Sequence, residues 1–333
     1  MATEMIPPAT AAAFLASLGW GNAQILPLAG DASFRRYFRI VDGERHAVLM
    51  DAPPPHEDPR PFIAIARHLE TQGFAAPAIW GEDLSAGLVL LEDFGDIRVK
   101  EYVEADAAQE EQVYARAIRL LADLHRLPAA GVQPYDRAVY QREAGLLTEC
   151  YCPAIGLEVD VAGYVAAWDA VLPIAEQDDA PHVTVLRDYH AENIMLVEGR
   201  ERSHNLGLLD FQDALVGHPA YDLVSLLQDA RRDVDPALEA KMIALYKQLA
   251  QPRGRFDDAY AVLGAQRNAK IIGIFTRLWK RDGKPRYLSF LPRMWDLLER
   301  DFAHQALKPV ADWFAANIPA DKRHHALAEH LPA

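Results

Sequence analysis

Short apolar runs with a period of two fill the first 95 or so residues, interrupted by one stretch of helical period. "AQILPLAG" ends at a Gly. "SFRRYFRI" and "RHAVLMDA" are joined by "VDGE", and an Asp-Gly pair between such runs predicts a β-hairpin. "RPFIAIARHLETQG" carries apolar residues at helical spacing, with Gly73 as its C-terminal cap. "PAIWG" and "GLVLLEDFG" predict two more strands, giving the order hairpin, helix, two strands.

From about residue 110 the period lengthens. "EEQVYARAIRLLADLHRL" places Val113, Ala117, Leu120, Leu121 and Leu124 on one face, and "VAGYVAAWDAVLPIAEQ" predicts a second helix. Short apolar strands return in "HVTVL", "IMLV" and "LGLLD". Four helices then follow, near residues 221–230, 236–249, 256–280 and 286–303. "DAPPPHEDPRP" reads as a loop, and no internal repeat is present. The pattern predicts an α+β protein, with a small β-rich N-lobe over 1–95 and a larger, mainly helical C-lobe over 96–333.

Composition supports a globular chain: 333 residues, half hydrophobic and a quarter charged. The formal charge of −14 repels phosphate backbones, so nucleic acid is not an expected partner. No apolar run approaches the ~20 residues of a spanning helix, and the first 14 residues lack the basic start of a secretory signal. A cytoplasmic, monomeric protein without a membrane partner is expected. Cys150 and Cys152 have no second pair to complete a metal site, so they read as reduced thiols.

The chemistry concentrates in "VLRDYHAENIMLVEG" and "NLGLLDFQDA". Asp188 follows one apolar strand, Asn193 precedes the next, and Asp210 ends a third. A lone Asp or Asn is an ordinary turn residue. Three at this spacing match the R-D-x-x-x-x-N arrangement of phosphoryl-transfer enzymes, in which the Asp orients the attacking hydroxyl and the Asn helps hold Mg²⁺. A hairpin between Asn193 and Asp210 would bring two hard oxygen ligands to one cation. Upstream, Gly30, Ser33, Phe34 and Arg35 lie in a turn able to bring backbone N–H groups to phosphates. Strand alternation lets only one of Arg35 and Arg36 share that face. Glu92 and Phe94, at the end of "LVLLEDFG", sit where a connector would meet adenine.

Together "GDASFRRYFRI", "LLEDFGD" and "RDYHAEN…LLDFQDALVGHPAYDL" resemble the aminoglycoside phosphotransferase family, over roughly residues 23–300. They look closer still to one branch, the anomeric kinases for N-acetylmuramate and N-acetylglucosamine of bacterial cell-wall recycling. The resemblance implies a protein-kinase-like two-lobe fold and ATP- and Mg²⁺-dependent phosphorylation of a sugar 1-hydroxyl. It implies Asp188 as catalytic base, Asn193 and Asp210 as metal ligands, and Asp222 as support for the catalytic loop. Two departures stand out. Leu186-Arg187 replaces the family's frequent His-Gly, and Met50 occupies the place of a phosphate-pairing strand lysine, leaving that charge to Arg35, Arg36 or another group.

The acceptor pocket is less legible. Glu143 or Arg142, Tyr189, His190 and Gln212 are candidate substrate contacts. Arg277, Lys280 and Arg281 form a basic cluster that would attract a sugar acid, or simply end a helix. An aminoglycoside or other small-molecule hydroxyl phosphotransferase is the alternative enzyme, and a nucleotide-binding pseudokinase the alternative outside catalysis.

Overall fold

The structure is a computed structural model describing residues 5–29, 34–176 and 182–331. In chain order it runs α1 (Ala11–Ser17), β1 (Gln24–Ala29), β2 (Arg36–Asp42), β3 (Arg45–Asp51), α2 (Arg60–Thr71), β4 (Ile79–Asp83), β5 (Leu88–Glu92), α3 (Val99–Ala105) and α4 (Glu110–Leu124). Then come α5 (Arg137–Leu146), α6 (Cys152–Ala154), α7 (Val161–Val171), β6 (Val183–Val185), β7 (Ile194–Leu196), β8 (Leu206–Leu208) and β9 (Leu215–Gly217). The helices α8 (Ala220–Leu227), α9 (Pro236–Ala250), α10 (Phe256–Asp282), α11 (Leu291–Phe302) and α12 (Lys308–Asn317) follow.

The chain packs as two compact units. The first takes Met1–Leu120 and, from the middle of the sequence, Glu192–Ala214; the second takes Leu121–Ala191 and Leu215–Ala333. The division expected at residues 95 and 96 falls inside the first unit, which also recovers a later hairpin.

The first unit is built on an antiparallel sheet of order β1-β2-β3-β5-β4. The β2–β3 hairpin turns through Gly43 and Glu44, with Asp42 paired to Arg45. Gly43 has φ +62, which the first position of a tight hairpin loop requires and glycine adopts without strain. Alternation sends Phe38, Ile40, Ala47, Leu49, Leu88 and Leu90 into one core with Ala11, Leu15 and Trp20. Arg35, Tyr37, Arg39 and Met50 belong to the opposite face, since Tyr37 pairs with Met50. The helix α2 ends where predicted, with Gly73 at φ +89.

The second unit packs helices around the 27-residue α10. Its Gly273 touches the backbone of α5: a Cβ there would lie 2.3 Å from the Leu146 carbonyl carbon. Residues 141–154, to which the periodicity assigned no element, are helical, running from α5 through a π-helical turn at Leu147–Tyr151 into α6. The helix expected from 286 begins at Leu291, preceded by a 3₁₀ segment, Pro285–Phe290. The short α1, α3 and α12 were not anticipated, because seven to ten residues hold too few apolar turns to establish a period. Cys150 and Cys152 are free thiols, and burial pushes Cys152 up to about 12. No helix among the described residues is long and apolar enough to cross a membrane.

Candidate active site

In the first unit, the β7–β8 hairpin pairs Ile194 with Leu208, and the Leu209 N–H donates to the Asn193 carbonyl at 2.9 Å. This register sets Asn193 and Asp210 side by side at the open end, with Nδ2 of one 3.4 Å from Oδ2 of the other. Asp210 has φ +56, a left-handed conformation that Asp tolerates better than most residues. The next residue fixes it: Phe211 is buried and stacks on Phe62 of α2, ring centres 5.0 Å apart. Gln212 does not stand free for a substrate here; its Nε2 donates to Asp210 Oδ1 at 2.9 Å.

Two adjacent hard-oxygen side chains suit Mg²⁺, which takes one or two protein ligands and completes its shell with phosphate oxygens and water. Asp210 is exposed, and Asn193, turned about its terminal bond, presents an amide oxygen beside it.

The stretch expected to meet adenine is held firmly. Arg39 bonds both Asp93 (2.7 Å) and Asp96 (2.8 Å), and Asp93 Oδ1 accepts from the Gly95 N–H. Glu92 is occupied: its N–H donates to the Ala78 carbonyl, and its carboxylate meets Ala78 N–H and Arg200. Phe94 lies over Gly207, so close that a Cβ there would come 2.6 Å from the ring. Phe34 is exposed and stacks on His56. Gly30 and Ser33 lie outside the described residues. The two arginines diverge as alternation requires: Arg36 binds buried Asp51 and the Ile6 carbonyl, whereas Arg35 pairs with Glu57 at 3.3 Å.

In the second unit, the loop after β6 carries Asp188. Asp222, wholly buried on α8, accepts from the N–H groups of Leu186 (2.7 Å) and Arg187 (2.8 Å). Ser225 Oγ donates to the Arg187 carbonyl at 2.9 Å. Arg187 has φ +70, which explains why glycine suits this position and what arginine needs to occupy it. Besides those backbone bonds, its guanidinium pairs with Glu143 of α5. Glu143 also meets Lys270 of α10 at 3.0 Å and accepts from Tyr135 Oη. Burial pushes the Glu143 carboxyl up, but Lys270 and Arg187 offset this and leave it below its ordinary value. The structure therefore places Glu143 beneath the loop, engaged with protein groups.

Asp188 is likewise pushed up by burial, then brought below the usual carboxylate range by Lys270 foremost and by His190, Arg267 and Arg187. It is therefore a carboxylate at neutral pH, able to accept a proton. Tyr189 and His190 are buried; the His190 N–H donates to the Asp188 carbonyl, and its Nε2 lies 3.3 Å from Arg231. The basic cluster at the end of α10 turns elsewhere, with Lys280 over Trp279 and Arg281 on Asp282. Two of the cations acting on Asp188 come from earlier in that helix. Arg267 and Lys270, three residues apart, share a face, and this spacing within an apolar helix was the available signal.

Residues 24–260 match the phosphotransferase enzyme family. An N-acetylmuramate/N-acetylglucosamine kinase of Caulobacter vibrioides is 36% identical, the match covering 95% of this chain and 98% of that protein. A protein of the same name from Pseudomonas aeruginosa is 38% identical over 90% of this chain and 91% of its own. Among solved structures, the choline kinase LicA of Streptococcus pneumoniae superposes with TM-score 0.60 at 12% identity, covering 87% of this chain and 94% of its own. The gentamicin complex of APH(2″)-IIa gives TM-score 0.60 at 14% identity, covering 91% and 99%. These likenesses identify the fold as α+β of the protein-kinase-like kind. A family match across most of the sequence, together with relatives 36% and 38% identical over at least 90% of the chain, leads to one assignment: the protein belongs to the phosphotransferase enzyme family.

Proposed function

We propose that this phosphotransferase is an ATP- and Mg²⁺-dependent sugar kinase that phosphorylates the anomeric 1-hydroxyl of N-acetylmuramate and N-acetylglucosamine in peptidoglycan recycling, acting as a cytoplasmic monomer. The reading is carried by 36% identity across 95% of the chain to a kinase named for those two sugars. The charge around Asp188 agrees with it. Lys270, Arg267 and Arg187 all bear on that carboxylate, a setting hospitable to a neutral or acidic sugar and hostile to a polycationic aminoglycoside.

Asp188 accepts the acceptor hydroxyl's proton as its oxygen attacks the γ-phosphorus; the bond to the β-phosphate oxygen breaks, and sugar 1-phosphate and ADP leave. An anomeric hydroxyl is more acidic than an ordinary alcohol, which eases the transfer. Asn193 and Asp210 are the residues that would hold Mg²⁺, which supplies charge neutralisation on the phosphates. Asp93 and Phe94 receive the adenine side, because the Glu92 amide is committed to Ala78. Rate comes mainly from positioning and charge neutralisation.

Asp188→Asn should abolish nearly all ADP release with either N-acetyl sugar while ATP binding stays at the wild-type level. Turnover of Asp188→Asn near wild type would remove the assignment of the base. Wild-type turnover confined to kanamycin or choline, in a panel with both N-acetyl sugars, would overturn the substrate assignment.

A further inference from the structure

The sheet face that carries Tyr37 and Met50 is short of positive charge. Neither β3 (RHAVLMD) nor β5 (LVLLE) provides a lysine, and Met50, directly across from Tyr37, is apolar and fully buried. Two arginines belong to this face. Arg39 is bound by two carboxylates, Asp93 and Asp96. Arg35 pairs with Glu57, at 3.3 Å and itself 16% exposed, and interacts with Tyr37; its own side chain is 12% exposed. The charge of Asp210 bears on both Arg35 and Tyr37, so this cation shares the electrostatic surroundings of the oxygen pair at the hairpin end.

A nucleoside triphosphate brought to Asn193 and Asp210 carries more negative charge than one divalent cation neutralises. A planar guanidinium that is always charged and can bind two oxygens at once suits the remainder. Braced by Glu57, it needs little ordering on binding.

Taking the kinase reading as its basis, we propose that Arg35, held by Glu57 and Tyr37, is the polyphosphate-binding cation of this chain. It stands on β2's approach in place of a lysine on β3, with Glu57 and Tyr37 as positioning residues. The ligand class is the di- or triphosphate of a nucleotide, not the nucleoside.

The test is equilibrium binding of ATP, ADP and adenosine to the full chain with Mg²⁺, together with wild-type sugar turnover. Arg35→Ala and the bulkier Arg35→Gln should each weaken ATP and ADP by about tenfold or more and leave adenosine unchanged. Glu57→Gln should weaken ATP several-fold, as an unbraced guanidinium loses its orientation. Placing the charge across the strand, in the double variant Arg35→Ala, Met50→Lys, should restore part of the ATP affinity. Undiminished ATP binding in both Arg35 variants overturns the assignment. Loss of all three ligands in both variants also overturns it, since Arg35 would then serve the scaffold alone. Arg35-dependent ATP binding without turnover of either sugar would leave the assignment standing and remove the acceptor reading.

Discussion

At the scale of single residues, the loop that bears the candidate base is held by its neighbour. Arg187 keeps a left-handed φ of +70 because its N–H, its carbonyl and its guanidinium are bound by Asp222, Ser225 and Glu143 respectively. Such a conformation costs a non-glycine residue of order 1–3 kcal/mol and persists only when surroundings over-determine it. Glu143→Gln should therefore cost about 3 kcal/mol, since it strands the buried charges of Arg187 and Lys270. Turnover should fall with it. Adding Arg187→Gly should recover part of the stability, because glycine takes that φ freely and the buried guanidinium that lost Glu143 is gone. Denaturant titration of both variants checks this; a double variant less stable than Glu143→Gln alone would refute the account. The candidate base itself was legible, as spacing between strands advertises Asp188, Asn193 and Asp210. The role of Glu143 was not, because its partners Arg187 and Lys270 lie 44 and 127 residues away in sequence.

At the scale of elements, glycines on packed helices divide by what faces them. Gly273 of α10 abuts the backbone of α5 at Leu146, whereas the nearest atom to a Cβ on Gly145 is a Glu149 carboxylate oxygen at 3.6 Å. Gly273→Ala should lose about 1–3 kcal/mol through overpacking. Gly145→Ala, inside α5, should gain about 0.5–1 kcal/mol from reduced chain entropy. Opposite shifts in urea midpoint are expected, and shifts of the same sign would show that the helix contact is less close than described. The elements themselves were mostly readable. The strand runs and long helices kept their periods, and Gly43 and Gly73 fell where turns needed them. The stretch 141–154 escaped because its π-helical turn breaks the 3.6-residue period there.

At the scale of the whole molecule, buried titratable groups tie stability to pH. His125 is buried, hydrogen-bonded through Nδ1 to Tyr246 Oη at 2.7 Å, and pushed down to about 3 by burial and by His218. The unfolded chain takes up a proton near 6.5 that the folded chain refuses, so this group lowers stability as pH drops from there toward 3. His125 alone contributes about 1.4 kcal/mol per pH unit in that window, and buried Asp222 and Asp301, pushed up to about 7 and about 8, act in the opposite direction. Relative to the wild type, His125→Gln should lose less stability, or gain more, between pH 7 and pH 5, and guanidinium titrations at those two values would show whether it does. Asp188, lowered rather than raised, adds no acid limb to the rate above the ordinary carboxylate range. The division of the chain was the feature least visible in its sequence, because no local pattern announces that a hairpin returns to a unit whose sheet was completed a hundred residues earlier. That return bears on how the protein is made. On the ribosome, the first unit's five-stranded sheet is complete by Glu92, yet the Phe211 ring that stacks on Phe62 and the Gly207 that receives Phe94 belong to the Glu192–Ala214 segment. At about 5–20 residues per second, roughly 5–20 seconds separate synthesis of residue 120 from that of residue 214. For that interval the nascent first unit waits with Phe62 of α2 uncovered, a natural moment for a chaperone to hold it.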